Sequence, residues 1–298
     1  MTEKKAFEVF EGEWLPRIEG TLEAVLPRGD GRVGRVEEGM RYAVLGGGKR
    51  LRALAVLAAA QAVGGRPEAA LPAAAAVEVL HAYSLVHDDL PAMDDADVRR
   101  GRPSVHKAFG EATAILVGDA LLTFAFELLA RLPEESGVPA AVAVACVRDL
   151  AVAAGHQGLV GGQEADIRAG ELEPSEALLQ TIHEGKTGAL FGASFRLGAR
   201  IGGGRDEQVE RLGRFGRELG HIFQIVDDVL DVVGDPALLG KAAHADAEQQ
   251  KLTYPRLYGL EAARQMAQER LELALGLLEG FEADVLRGLA ERVVHRVR

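Results

Sequence analysis

The sequence has a single cysteine, Cys146, in 298 residues, so no disulfide closes within the chain and no thiolate cluster holds a metal. A buried bystander is the expectation for that thiol. Aromatic residues make up only 5% and sustained runs of alternating β-branched residues are lacking, which removes the signals of a sheet-based fold. An excess of positive charge is lacking too. The net charge of -11 argues against a nucleic-acid partner, and any polyanionic substrate must be met by local basic clusters or bound cations. No apolar run reaches membrane-spanning length without Pro, Gly or charge, and the first residues, MTEKKAFEVF, place an acid among lysines, unlike a signal peptide. The expectation is a soluble cytoplasmic protein with no membrane span.

What is present is alanine and leucine at helical spacing. The predicted helices are Glu3 to Leu26 (broken by Pro16), Arg35 to Leu45, Leu51 to Val63, Ala69 to Asp89, Gly110 to Arg131, Val138 to Ala154, Gly158 to Ile167, Glu176 to Leu197 and Glu207 to Val233, with further helices from Tyr254 onward. The apolar helices Gly110 to Arg131 and Val138 to Ala154 read as core. The fold class is therefore all-α, in a chain long enough for one large domain or two small ones.

The stretch HAYSLVHDDLPAMDDADVRRGRPSVHK, His81 to Lys107, sets five carboxylates (Asp88, Asp89, Asp94, Asp95, Asp97) between an apolar helix end and three arginines (Arg99, Arg100, Arg102). Asp oxygens are hard ligands that suit Mg²⁺, and guanidinium groups offer planar bidentate donors to phosphate. A charged helix end followed by a basic loop is the blander alternative. On an ideal helix Asp94 lies roughly 600° beyond Asp88, on a different face. Pro91 is expected to break the helix and swing Asp94 back towards Asp88. A second acidic helix, HIFQIVDDVLDVVGD, places Asp227 and Asp231 four residues apart beside Gln224, where uncompensated carboxylates would be costly. Opposed across a bundle, the two segments would make a binuclear or larger Mg²⁺ site.

Basic residues appear where an anion is called for. Gly46, Gly47 and Gly48 precede Lys49, Arg50 and Arg52 at a helix start, where cations oppose the dipole and so suggest an anionic partner. The spacing lacks the Walker pattern, so it is a weak phosphate signal alone. Gln163 and Asp166 lie one helical turn apart, and Lys186 and Thr187 sit in an apolar helix, where a lysine snorkels to water or meets an anion.

Taken in order, GGGKRLR, HAYSLVHDDLPAMDDADVRRGRPSVH, GGQEADI, EGKTGAL, FQIVDDVLDVVGD and GKAAHADAEQQKLTYP span most of the chain, which resembles the trans (E) isoprenyl diphosphate synthases, closest to the bacterial short-chain farnesyl diphosphate synthases. The resemblance implies a single domain over residues 1–298, a bundle of roughly ten or more helices around a central active-site cavity, and a Mg²⁺-dependent condensation of isopentenyl diphosphate with dimethylallyl or geranyl diphosphate. Asp88, Asp94 and Asp227 would ligate three Mg²⁺, supported by Asp89, Asp228 and Asp231. Arg99, Lys186 and Lys241 would hold the allylic diphosphate, with Thr187 and Gln224 lining the pocket; Asp88, Asp94, Arg99, Lys186, Asp227 and Lys241 form the implied catalytic set. Lys49, Arg52, His81 and Arg100 would hold isopentenyl diphosphate. Proton loss to the departing diphosphate leaves no role for a protein base, so His87 is read as structural.

Members with an aromatic at the position of Tyr83, five residues before Asp88, look like farnesyl diphosphate makers; a turn rises about 5.4 Å, comparable to an isoprene unit. Geranylgeranyl diphosphate is the alternative product. A homodimer is implied as well, and Arg296 and Arg298 are candidates to close the isopentenyl site. Two departures stand out: Ala53 replaces a common proline, and His244 a usual glycine. Other readings are a His-Asp metal-dependent phosphohydrolase built on His87 and Asp88 with His81, His106 or His156, a class I terpene cyclase, and a non-catalytic partner subunit.

Overall fold

A computed structural model describes residues 2–28, 34–234 and 251–295. The described chain is helical almost throughout: α1 (Glu3–Val25), α2 (Gly34–Val44), α3 (Leu51–Ala62), α4 (Leu71–Asp88), α5 (Val105–Phe109), α6 (Glu111–Ala130), α7 (Leu132–Ser136), α8 (Ala140–Ala154), α9 (Leu159–Ile167), α10 (Glu176–His183), α11 (Ala189–Ile201), α12 (Asp206–Val233), α13 (Tyr254–Tyr258), α14 (Leu260–Gly276) and α15 (Asp284–Val294). Helix α3 is apolar at every position except Arg52 and Gln61 and is buried along nearly its whole length, as its composition requires. Helices α4 and α11 pack against it, α6 covers α4, and α12 lies against α11 with α14 on its far side. Alanines at 53, 55, 58, 59, 60 and 73 to 76 let these inner helices approach closely. The result is one helical bundle whose inner helices carry both acidic segments.

Four details differ from the sequence reading. Helix α1 runs unbroken through Pro16, which lies on the exposed face. The proline removes only the amide that would reach Gly12, itself an exposed residue, while Phe7, Phe10, Trp14, Ile18 and Leu22 bury the opposite stripe. The expected helix 176–197 is divided by a π-turn, Glu184–Gly188. Two-residue strands β1 (Val98–Arg99) and β2 (Arg102–Pro103) pair antiparallel across Arg100 and Gly101, whose φ values of 52° and 74° match a primed hairpin turn. Finally, α6 and α8 are core on one face only: Ile115 and Leu116 are 41% and 55% exposed, and Val144 and Val152 are 69% and 55% exposed. Each of these two apolar helices thus bares a second apolar face.

Candidate active site

The first acidic segment owes its shape to the end of α4. With Pro91 unable to continue the helix, the backbone folds back on itself: the Asp94 amide donates to the Asp88 carbonyl (2.9 Å), Asp95 to Leu90 (3.1 Å) and Ala96 to Asp89 (3.2 Å). This returns Asp94 to Asp88, as expected from the sequence, through a tight turn. Burial pushes the Asp88 carboxyl up to about 6, with Lys186 opposing and Asp94 adding to the rise. Asp89 is buried and takes a two-pronged bond from Arg99, at 2.5 Å from Nη2 and 3.1 Å from Nε. Arg99 therefore neutralises Asp89 while sitting beside Asp88 and Asp94, whose charges act on it.

The second wall is the π-turn between α10 and α11. Such an insertion re-aims side chains, and here it presents Lys186 and Thr187. Lys186 Nζ lies 2.8 Å from Asp166 Oδ2 on α9, so this lysine meets an anion rather than snorkelling. The approach is close because residues 162 and 185 are both glycine: a Cβ on Gly162 would stand 2.2 Å from the Lys186 amide. Thr187 Oγ1 donates to Gln224 Oε1 (3.1 Å), and Gln224 Nε2 donates to Asp228 Oδ1 (3.0 Å), coupling the π-turn to α12. Asp228 also accepts the Tyr254 backbone amide (3.0 Å) and lies 3.8 Å from His183. It thus anchors α13 behind the site. Asp231 is buried, and Asp227 is partly exposed. Lys251 Nζ stands 3.5 Å from Asp94 Oδ1, joining the segment after α12 to the first acidic turn.

A third group is basic. Gly48 has φ of 134°, and a Cβ there would sit 3.0 Å from the Arg100 guanidinium, so the triglycine lets Arg100 fold under the loop and donate to the Gly47 carbonyl. Arg52 Nη1 lies 3.4 Å from His81 Nε2, and its guanidinium stacks on Phe191 at 4.6 Å. Burial, only partly offset by Glu78, pushes Arg52 down to about 10, with Arg100 contributing. His81 is held well below its usual range by burial and by Arg52, Arg100, Arg99 and Arg50. An anion placed among them would relieve that mutual repulsion.

Arg50 is a correction to the idea that the cations at this helix start all await an external anion. It is buried with φ of 50°, bonded to Glu19 (2.7 Å) and to the Val44 carbonyl (2.7 Å), with Glu78 at 3.3 Å. Its anions are the protein's own. Lys49 is exposed beside it.

Tyr83 is buried and packs edge-on against His87, with ring centroids 5.2 Å apart. Its hydroxyl is kept protonated by burial first and then by Asp88, which places the ring near the acidic turn. His87 Nε2 lies 3.1 Å from the Ile115 carbonyl, in a notch made by Gly118, where a Cβ would strike the ring. It packs α4 on α6. His81, His106 and His156 do not gather around it: His81 belongs to the arginines, His106 lies 3.0 Å from Ser104, and His156 is exposed.

Lys241, His244, Arg296 and Arg298 lie outside the described residues. Lys251, His183 and Tyr254 were not assigned a site role from the sequence, and Asp166 only a place in a polar pocket shared with Gln163. The lysine and tyrosine stand together in KLTYP, and Asp166 was signalled by its place one turn from Gln163. The carboxylates of the acidic turn and α12 are all-oxygen donors, and the cost of burying Asp88 charged falls when a cation joins it. The donor set suits a hard divalent ion such as Mg²⁺.

Comparison with known proteins agrees with this architecture. Residues 34–290 match the polyprenyl synthetase family. The chain is 46% identical over 268 residues to the chloroplastic heterodimeric geranylgeranyl pyrophosphate synthase large subunit 1 of Arabidopsis thaliana, covering 88% of this chain and 72% of that one. It is 47% identical over 265 residues to the chloroplastic geranylgeranyl pyrophosphate synthase of Capsicum annuum, covering 88% and 71%. The apo crystal structure of a FPP/GFPP synthase from Zymomonas mobilis superposes with a TM-score of 0.84 at 36% identity, covering 98% of this chain and 99% of that one. With the match extending over most of the chain and the fold shared end to end, the protein is a member of the polyprenyl synthetase family.

Proposed function

We propose that the chain condenses isopentenyl diphosphate head to tail with dimethylallyl or geranyl diphosphate. The observation that carries this reading is a cluster of mutually repelling basic groups, Arg52, His81 and Arg100, separate from the acidic turn, where Lys186 and Lys251 pair with Asp166 and Asp94. A phosphohydrolase or a terpene cyclase has no use for that cluster.

In this reading Mg²⁺, proposed as three ions held by Asp88, Asp94 and Asp227 with Asp89, Asp228 and Asp231 in support, supplies the charge that stabilises a leaving diphosphate. Lys186 and Arg99 flank that diphosphate, and Thr187 and Gln224 line its pocket. The allylic C–O bond breaks, the electron pair leaving with the diphosphate. The isopentenyl π-electrons form the new C–C bond, and the proton passes to the departed diphosphate, so no side chain serves as base. Arg52, His81, Arg100 and Lys49 position the isopentenyl diphosphate, and apolar walls exclude water from the cation.

Two observations bear on product length. The names of the curated relatives favour geranylgeranyl diphosphate, and we propose it as the better supported product. Tyr83, buried beside the acidic turn, favours the shorter farnesyl diphosphate as a second reading. We also propose a homodimer formed through the apolar face of α6 and α8. One relative is named as the large subunit of a heterodimer, so the partner of that face is open to test.

The test of the two-site reading is Arg52→Ala. It should raise the KM for isopentenyl diphosphate by about tenfold or more, worth about 1.4 kcal/mol of binding, and leave the KM for geranyl diphosphate unchanged. An equal rise in both would sink the assignment of separate sites.

A further inference from the structure

The base of the Arg99–Arg100 hairpin carries a second group of metal-ligating side chains, separate from the carboxylates already described. Asp95, Asp97 and His106 each bring one donor atom to within 4.8 Å of the others. Asp95 and Asp97 are exposed, as acidic turns often are, and alone they would mean nothing. His106 is different. It is 7% exposed, its Nε2 is buried with no hydrogen-bond partner, and that nitrogen lies 3.9 Å from Asp95 Oδ1. Its other nitrogen, Nδ1, is 3.0 Å from Ser104 Oγ. With Nδ1–H donating to that hydroxyl, the Nε2 lone pair faces the carboxylates, the arrangement in which a histidine serves as a metal ligand oriented by an outer hydrogen bond.

We propose that Asp95, Asp97 and His106 form a divalent transition-metal site, of the kind that takes Zn²⁺ or Co²⁺. One imidazole and two carboxylates, with the solvent side open, suit those ions better than Mg²⁺, which prefers oxygen alone. The chain already approximates the site: the Ser104 amide donates to the Asp97 carbonyl (2.9 Å), and Asp95 is held at φ of 46°, a costly conformation for a residue with a side chain. Lys107 Nζ, 2.7 Å from Asp97 Oδ1, occupies part of the place and must swing away; being nearly half exposed, it is free to do so. The three ligands bracket the hairpin, two on the segment that precedes β1 and one on α5, which follows β2. A bound ion would therefore clamp the base of the loop that presents Arg99 and Arg100.

The full-length protein, stripped of metal and held in excess Mg²⁺ to fill all-oxygen sites, is titrated with Co²⁺ while visible absorption and heat are recorded. The wild type should take up one equivalent with the absorption of a nitrogen-bearing site. His106→Asn and the surface substitution Asp95→Asn should each weaken that equivalent at least tenfold, and Asp88→Asn should leave it in place. Lys107→Ala should tighten it several-fold, a gain that misfolding does not produce. An equivalent that survives both His106→Asn and Asp95→Asn, or that disappears only in Asp88→Asn, would assign the ion to the acidic turn and overturn the proposal.

Discussion

At the scale of single residues, the site is defined by charges that are costly where they stand. His81 is the clearest case: burial and four arginines hold its imidazole neutral at a pH where a solvated histidine is half charged. Because its folded pKa lies below the unfolded value of about 6.5, the unfolded chain takes up a proton that the folded chain refuses. Stability from this group is intact above that pH and falls as pH drops below it, by up to about 1.4 kcal/mol per pH unit. A diphosphate beside His81 reverses the sign of the local field and favours the protonated ring. Denaturation midpoints between pH 5 and 7.5 should show this slope flattened in His81→Gln, and inorganic diphosphate should restore more stability at the acidic end. A slope identical in the variant would remove His81 from the cluster.

Much of this scale was legible in the sequence, because the Asp, Arg and Lys residues stand in apolar surroundings that demand partners. The identities of some partners were not. Glu19 and Glu78 are distant in sequence from Arg50 and carry no local signal, so only the fold shows that Arg50 is neutralised internally. Lys251 likewise reaches Asp94 across 157 residues.

At the scale of elements, helix identity followed from periodicity, and interruptions did not. The π-turn at Glu184–Gly188 has no pattern of its own, since Lys186 and Thr187 continue a helical spacing. Its cause is packing: α9 presents Gly162 to Gly185, and α12 presents Gly220 to Gly188, so two helices close on one turn through paired glycines. Gly162→Ala would place a methyl against the Lys186 backbone, an overpacking that costs about 1–3 kcal/mol. A lowered thermal midpoint together with a kcat loss exceeding that of an equally destabilised variant in α1 is the expected result. Equal activity at equal stability would show that the π-turn does not position Lys186. The hairpin at Arg100 and Gly101 escaped the sequence reading because strands of two residues offer no alternation to detect.

At the scale of the whole molecule, a chain of net charge -11 brings Arg52, His81 and Arg100 together in one cluster and leaves apolar surface on α6 and α8. The helix Glu111–Ala130 is apolar enough to cross a membrane by composition, yet it packs on α4 with one face and bares the other. The proposed second copy would cover that face. Sedimentation equilibrium at micromolar concentration should give twice the mass of the chain, and Leu116→Lys should shift it to the monomer. A monomeric wild type would leave the face to a different subunit.

The central claim, head-to-tail condensation at paired diphosphate sites, is tested most directly by incubating the purified protein with Mg²⁺, isopentenyl diphosphate and dimethylallyl or geranyl diphosphate and resolving the products by chain length. The prediction is a short prenyl diphosphate whose formation stops on chelation, with Tyr83→Ala shifting the distribution to longer chains. A folded protein that binds the substrates yet forms no carbon–carbon bond with any allylic primer would contradict it.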